Sequence, residues 1–277
     1  MDAASMPNGT ETQHEEGLGS FILHHLQDSK EWNVFGYHVH LPSFTPINFL
    51  GIEVDLSITL HVLMMWFAAL ILVVLSLIAF RKNKSSPIAV IFETIYLFIR
   101  DEIAEPNLGS KYGKKLAPFL STIFVFILTC NLMGIIPLFS TATGDLSVTA
   151  SLAIITFVMI QGYGIKEHGV IGYFKSLIPS GVPTYLIPIM IPIEIIGLFT
   201  KPFALAMRLF ANMIAGHTVI FALLGLIIVL GSVFISPISI MFAVFIDLLE
   251  ILVSLLQAYI FTILSALFIG MAAIGEH

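Results

Sequence analysis

Along this chain, long apolar stretches alternate with short clusters of charge, and the spacing of the two predicts membrane-crossing helices. Leu56 to Phe80 is uncharged and ends on Arg81-Lys-Asn-Lys84, which suits a first span across a hydrocarbon core of about 30 Å. Ile88 to Ile103 instead mixes apolar residues with Glu93, Arg100, Asp101 and Glu102, the pattern of an amphipathic helix lying in the interface. Leu116 to Leu138 and Leu146 to Gly164 read as the next two crossings. Leu186 to about Leu226, and about Ile235 to Ile274, each run for about 40 residues. At 1.5 Å per residue such a helix extends about 60 Å, so each must tilt steeply. Gly231 and Pro237 mark the turn between them, and Pro183, Pro188 and Pro192 sit near the start of the first. The expected fold is an all-α polytopic membrane protein of about five crossing helices plus one interfacial amphipathic helix, the last two crossings long and tilted. Residues 1–55 are expected to form an outer, periplasmic tail and interfacial segment, and residues 56–277 a single transmembrane helical domain.

Composition sharpens the class. Hydrophobic residues make up 57% and charged residues 11%, with a mean hydropathy of +0.98, whereas soluble domains carry about 25% charged residues. The net charge of −6 provides no basic footprint for nucleic acid. The single cysteine, Cys130, lies in an apolar run and excludes an intrachain disulfide. Basic residues favour the cytoplasmic ends of spans. The Arg81–Lys84 cluster, then Lys111, Lys114 and Lys115, then Lys166 and Lys175, therefore put these loops inside. The N-terminus is outside and the C-terminus cytoplasmic on this reading.

Charge inside the apolar stretches narrows the function. Arg208 is followed by an unbroken run without Asp, Glu, Lys or Arg as far as Ile246. An arginine stays protonated, so it acts there as a fixed positive charge and points to ion handling. Glu194, Lys201 and Arg208 recur every seven residues and Asn212 follows by four, one stripe on a helix of about 100° per residue. His217, nine positions beyond Arg208, falls on the opposite side and about 13 Å further along an ideal helix. On the last helix Asp247, Glu250, Ser254 and Gln257 also share a face, where acids, hydroxyls and amides can relay protons or bind water. Glu194 and Lys201 can equally pair as structural groups, and Asn212 or Gln257 alone can be interhelical hydrogen-bond glue. The imidazoles of His24, His25, His38, His40 and His277 are assigned to solvated positions rather than to a metal, despite the His38-x-His40 spacing. No phosphate-binding loop, zinc helix or cysteine pair occurs, so no catalytic site, cofactor or metal is expected.

Four motifs carry a resemblance: Arg208-Leu-Phe-x-Asn212-Met-x-Ala-Gly, Leu256-Gln257-Ala-Tyr-Ile-Phe261, Asn131-Leu-Met-Gly-Ile-Ile-Pro137, and Phe98-Ile-Arg-Asp-Glu-Ile-Ala-Glu-Pro106. From His24 onward the chain resembles subunit a of the F-type ATP synthase, of bacterial type. The resemblance implies a stator subunit in a bacterial cell (inner) membrane, with two offset half-channels for proton translocation against a ring of c subunits. It makes Arg208 the essential stator arginine and lines proton access routes with Asn212, His217, Glu250 and Gln257. Asp145 is added on the outer route and Glu194 on the inner one, and Asp247 and Ser254 join the proton-translocating residues. The implied partners are the c ring, b-type peripheral stalk subunits, the lipid bilayer and, indirectly, a catalytic head that makes the ATP. Many bacterial relatives carry an acid where His217 stands and a histidine where Glu250 stands, so this pair looks exchanged. The alternative class is an ion-coupled secondary transporter or a proton-pumping respiratory subunit, which an inverted repeat would favour. None is visible in the sequence.

Overall fold

The computed structural model describes residues 31–34, 37–40, 47–49, 52–54, 57, 59–80, 86–136, 141–176, 183–230 and 236–274. The tail Met1–Lys30, the cluster Arg81–Lys84, Gly231 and His277 lie outside the described residues. Two small antiparallel hairpins come first: β1 (Glu31–Val34) with β2 (Tyr37–His40), and β3 (Ile47–Phe49) with β4 (Ile52–Val54).

Every element described after the hairpins is helical. The elements are α1 (Leu60–Phe80), α2 (Pro87–Phe98), a π-helical segment Ile99–Ala104, α3 (Glu105–Gly134), α4 (Leu146–Ser176), α5 (Ile187–Leu230) and α6 (Ser236–Ile274). Five of the resulting helical stretches are long and apolar enough to cross a membrane, as the hydrophobic pattern predicts. With no water in a bilayer core, a helix is the form in which such a stretch meets all its backbone hydrogen bonds. The two long helices also match expectation: α5 has 44 residues and α6 has 39.

The expected interfacial helix is continuous with the crossing after it. Pro87 starts α2 behind an extended Ser86 at φ −67°, ψ 133°, where a missing N–H costs least. The chain then passes through the π segment into α3 without a loop. Pro106 is the second residue of α3, directly after the π-helical segment. The break comes only at Gly109, at φ 67°, ψ 165°, a conformation that an L side chain rarely adopts. Ile99, Ile103 and Ala104 are fully buried while Arg100 and Asp101 stay outside and pair at 2.6 Å, so this segment is amphipathic as read.

The chain divides into two compact units, one formed by Met1–Leu60 with Asn212–Leu252 and the other by His61–Ala211 with Val253–His277. The second holds the main core. Leu116, Leu120, Ile123, Phe124 and Ile127 line one face of α3 at helical spacing and pack with Leu152 and Ile160 of α4, Leu205 and Leu209 of α5, and Phe261 and Ile269 of α6. In lipid the gain from such contacts is close packing rather than escape from water. Trp66, Leu70, Val73, Leu77 and Ile78 of α1 point away from the chain, as suits an apolar medium or a neighbouring helix.

Candidate functional site

In the larger unit the polar stripe of α5 stands at the edge of the packed core. Arg208 is exposed, although its neighbour Leu209 is fully buried. Among the described residues no ion pair forms on Arg208. Lys201, one stripe position earlier, is half-buried and holds its Nζ 5.5 Å from the centre of the Phe268 ring on α6. That cation–π contact is worth about 0.5–2 kcal/mol and gives Lys201 a structural reason to be there. Glu194 is half-buried. Arg208 is therefore an outward-facing cation with no counter-charge among the described residues.

The same unit contains a buried hydroxyl–amide cluster on α3 and α6. Asn131 is fully buried; its Oδ1 accepts a 2.7 Å hydrogen bond from Thr143 Oγ1, and its Nδ2 donates to the Ser254 carbonyl at 3.4 Å. Thr143 sits in the short 3-10 turn Ala142–Gly144, so one amide ties the loop to α6. Ser254 and Gln257 are buried at 0% and 2% exposure, and Ser254 Oγ has no hydrogen-bond partner among the described residues. A buried hydroxyl in that state is a place for an ordered water. Asp145 follows the turn and accepts the Ser147 backbone N–H at 2.9 Å, which caps the start of α4.

The smaller unit contributes an acid–imidazole pair. His217 Nε2 on α5 lies 3.6 Å from Glu250 Oε1 on α6, with the glutamate side chain 3% exposed and the histidine 17%. Neither Glu250 oxygen has a hydrogen-bond partner among the described residues. The separation is that of an ion pair rather than a hydrogen bond, a gap that a small rotation or one water closes. Gly216 makes room for it: a Cβ there would stand 2.8 Å from Glu250 Oε1. Asn212 is exposed and Asp247 half-buried in this unit.

The structure adds contacts that no spacing reveals. It joins His217 to Glu250 and ties Asn131 to Thr143 and Ser254. Asn131 and Thr143 were absent from the candidate residues; the available signal was a lone amide in the apolar run Leu116–Leu138. Among the residues whose side chains are described, no three His, Cys, Asp or Glu groups converge on a metal position.

Comparison with known proteins follows the same residues. The family described as ATP synthase A chain matches residues 62–270. This chain belongs to the ATP synthase A chain family. It is 51% identical over 229 residues to ATP synthase subunit a of Myxococcus xanthus, covering 80% of this chain and 75% of that protein. Subunit a of Chloroherpeton thalassium is 50% identical over 266 residues, covering 92% and 77%. Subunit a 2 of Chlorobaculum tepidum is 46% identical over 274 residues, covering 95% and 76%. Both Arg208 and the pair His217–Glu250 fall inside the stretch that matches the family.

Proposed function

We propose that this chain is the stator subunit of a rotary ATP synthase, in which two offset half-channels carry protons to and from a ring of c subunits. A bacterial inner membrane, with the N-terminus outside and the C-terminus cytoplasmic, is the proposed setting. Residues 1–55 form the outer segment and 56–277 the working membrane domain. The chain itself catalyses no covalent step, and ATP is made in a separate head, with b-type stalk subunits holding the chain against rotation.

The observation that carries this reading is the exposed Arg208 on the long, mostly apolar α5. A carboxylic acid on the rotor is neutral while it faces lipid, because an ionised acid there is expensive. On meeting Arg208 it gains a counter-charge and gives up its proton. The outer path runs through Asp145, His217, Glu250, Ser254 and Gln257, with Asp247 and Asn212 on the adjoining stripes, and the inner path passes Glu194. A fixed cation between the two paths repels an excess proton, so a proton crosses only by riding the ring. Each unit charge crossing the membrane gains about 2.3 kcal/mol per 100 mV, so several crossings are needed for each ATP.

Gradient-driven ATP synthesis in inverted membranes, comparing the native chain with Arg208→Ala and checking assembly by pull-down, tests the proposal. Loss of synthesis in an intact complex is the expected result; retained synthesis would overturn it.

A further inference from the structure

The larger unit contains a cavity that the proton path does not use. Residues three and four apart on a helix are neighbours on one face. Glu93 and Tyr96 on α2, Leu72 and Ser76 on α1, and Pro118 and Thr122 on α3 all stand at such spacings. The three faces line one cavity of about 580 Å³. That volume falls within the range of about 300–1,000 Å³ usual for small-molecule sites, which are mostly apolar with a few placed polar groups.

The polar groups on this wall are not equivalent. Ser76 Oγ donates to the Leu72 carbonyl at 2.7 Å, and Thr122 Oγ1 donates to the Pro118 carbonyl at 2.8 Å. Both hydroxyls are thereby engaged within their own helices. Glu93 is the one carboxylate on the wall, and among the described residues no lysine, arginine or histidine lines the cavity with it. Nor does any ion pair form on Glu93 among the described residues. A carboxylate beside an apolar cavity in a membrane chain is stabilised by a cation brought to it. Phe92 and Tyr96, half-buried on the same wall, offer ring faces that attract an ammonium group. A phospholipid head would instead bring its phosphate against the acid, a like-charge contact that selects against it.

We propose that the cavity between α1, α2 and α3 binds a lipophilic primary amine, with its ammonium group against Glu93 and its hydrocarbon body along Leu72, Phe92 and Tyr96. The site is separate from the proton path, and its failure leaves the stator reading untouched.

The test uses the assembly purified intact in phosphatidylcholine nanodiscs. The probe is dodecylamine with a photoreactive diazirine on its chain, and labelled residues are read by peptide mass spectrometry. Labelling is expected on the cavity walls of α1 to α3. Excess dodecylamine is expected to displace it, whereas dodecanol and dodecanoate, which keep the tail and change the head, are not. Glu93→Gln keeps size and removes the charge; it is expected to weaken apparent affinity at least about tenfold, the loss of one hydrogen bond to a charged group. Ser76→Leu narrows the cavity without touching the acid and is expected to weaken labelling by a similar factor. Glu102→Gln removes an exposed acid of the π-helical segment, outside the cavity, and is expected to change nothing. Absence of label on the cavity walls would overturn the proposal, as would equal displacement by dodecanol or unchanged affinity in either Glu93→Gln or Ser76→Leu. Loss of labelling in phosphatidylethanolamine nanodiscs would assign the acid to a lipid head and overturn it too.

Discussion

Arg208 and Glu250 are both charged groups on long apolar helices, yet the fold treats them in opposite ways. The arginine faces outward without an ion pair among the described residues, whereas the glutamate is enclosed at 3% side-chain exposure beside His217. An arginine turned outward keeps its proton and so stands as a fixed charge at the boundary of the described residues. A buried acid beside an imidazole works inside the chain. The two side chains stand 3.6 Å apart, close enough for one water to bridge them. A fixed charge at the boundary and a buried acid beside an imidazole are different arrangements, and the difference in exposure separates them.

Removing the fixed charge is expected to have the largest effect. Arg208→Ala should abolish gradient-driven ATP synthesis while the complex still assembles, as measured in inverted membranes. The relay comes next: Glu250→Gln and His217→Ala are each expected to slow proton-driven synthesis by roughly 10²-fold, the scale of losing one positioned acid or base. Exchanging the two as His217→Glu with Glu250→His tests whether they act as a pair. Recovery above either single change supports the pairing, and additive loss removes it. Gly216→Ala probes the same site sterically. Its new Cβ would press on Glu250 Oε1 from 2.8 Å, and synthesis should fall by about tenfold or less, with Val worse than Ala. Asn131→Ala should lower the stability of the assembled subunit by about 1–3 kcal/mol, because it strips the Thr143 hydroxyl of its acceptor in a buried place; thermal denaturation of the complex reads this out. The smallest effect belongs to Lys201→Ala. Its cation–π contact with Phe268 is structural, so coupling per ATP should stay unchanged even if thermal stability drops.

Much of this was legible in the residues. Apolar run length located the first span and the two long ones to within four residues, since only a helix satisfies its backbone in lipid and its minimum length is set by the bilayer, whereas α4 runs on past the expected end at Gly164 to Ser176. The excess length of α5 and α6 was visible for the same reason. Periodicity also put Glu250, Ser254 and Gln257 on one face, and all three are buried. The extent of α2 was harder to see. Charge at Arg100, Asp101 and Glu102 suggested a separate interfacial helix, but charge alone does not break a helix, and the break waits for Gly109. Asn131 stood out only as the first residue of a motif, because a single amide in an apolar run has no period to reveal its partners.

The sequence by itself determined the membrane class, the helical elements and the position of the unanswered arginine, because these follow from local chemistry: span length, helical period and a charge that cannot be neutralised. Tertiary structure alone decided which distant groups meet. It set His217 against Glu250, hung the Thr143 turn on Asn131, and laid Glu31 across from His40 in the first hairpin. Contacts of that kind depend on the register of one element against another, and register is a property of the packed whole that no run of neighbouring residues encodes.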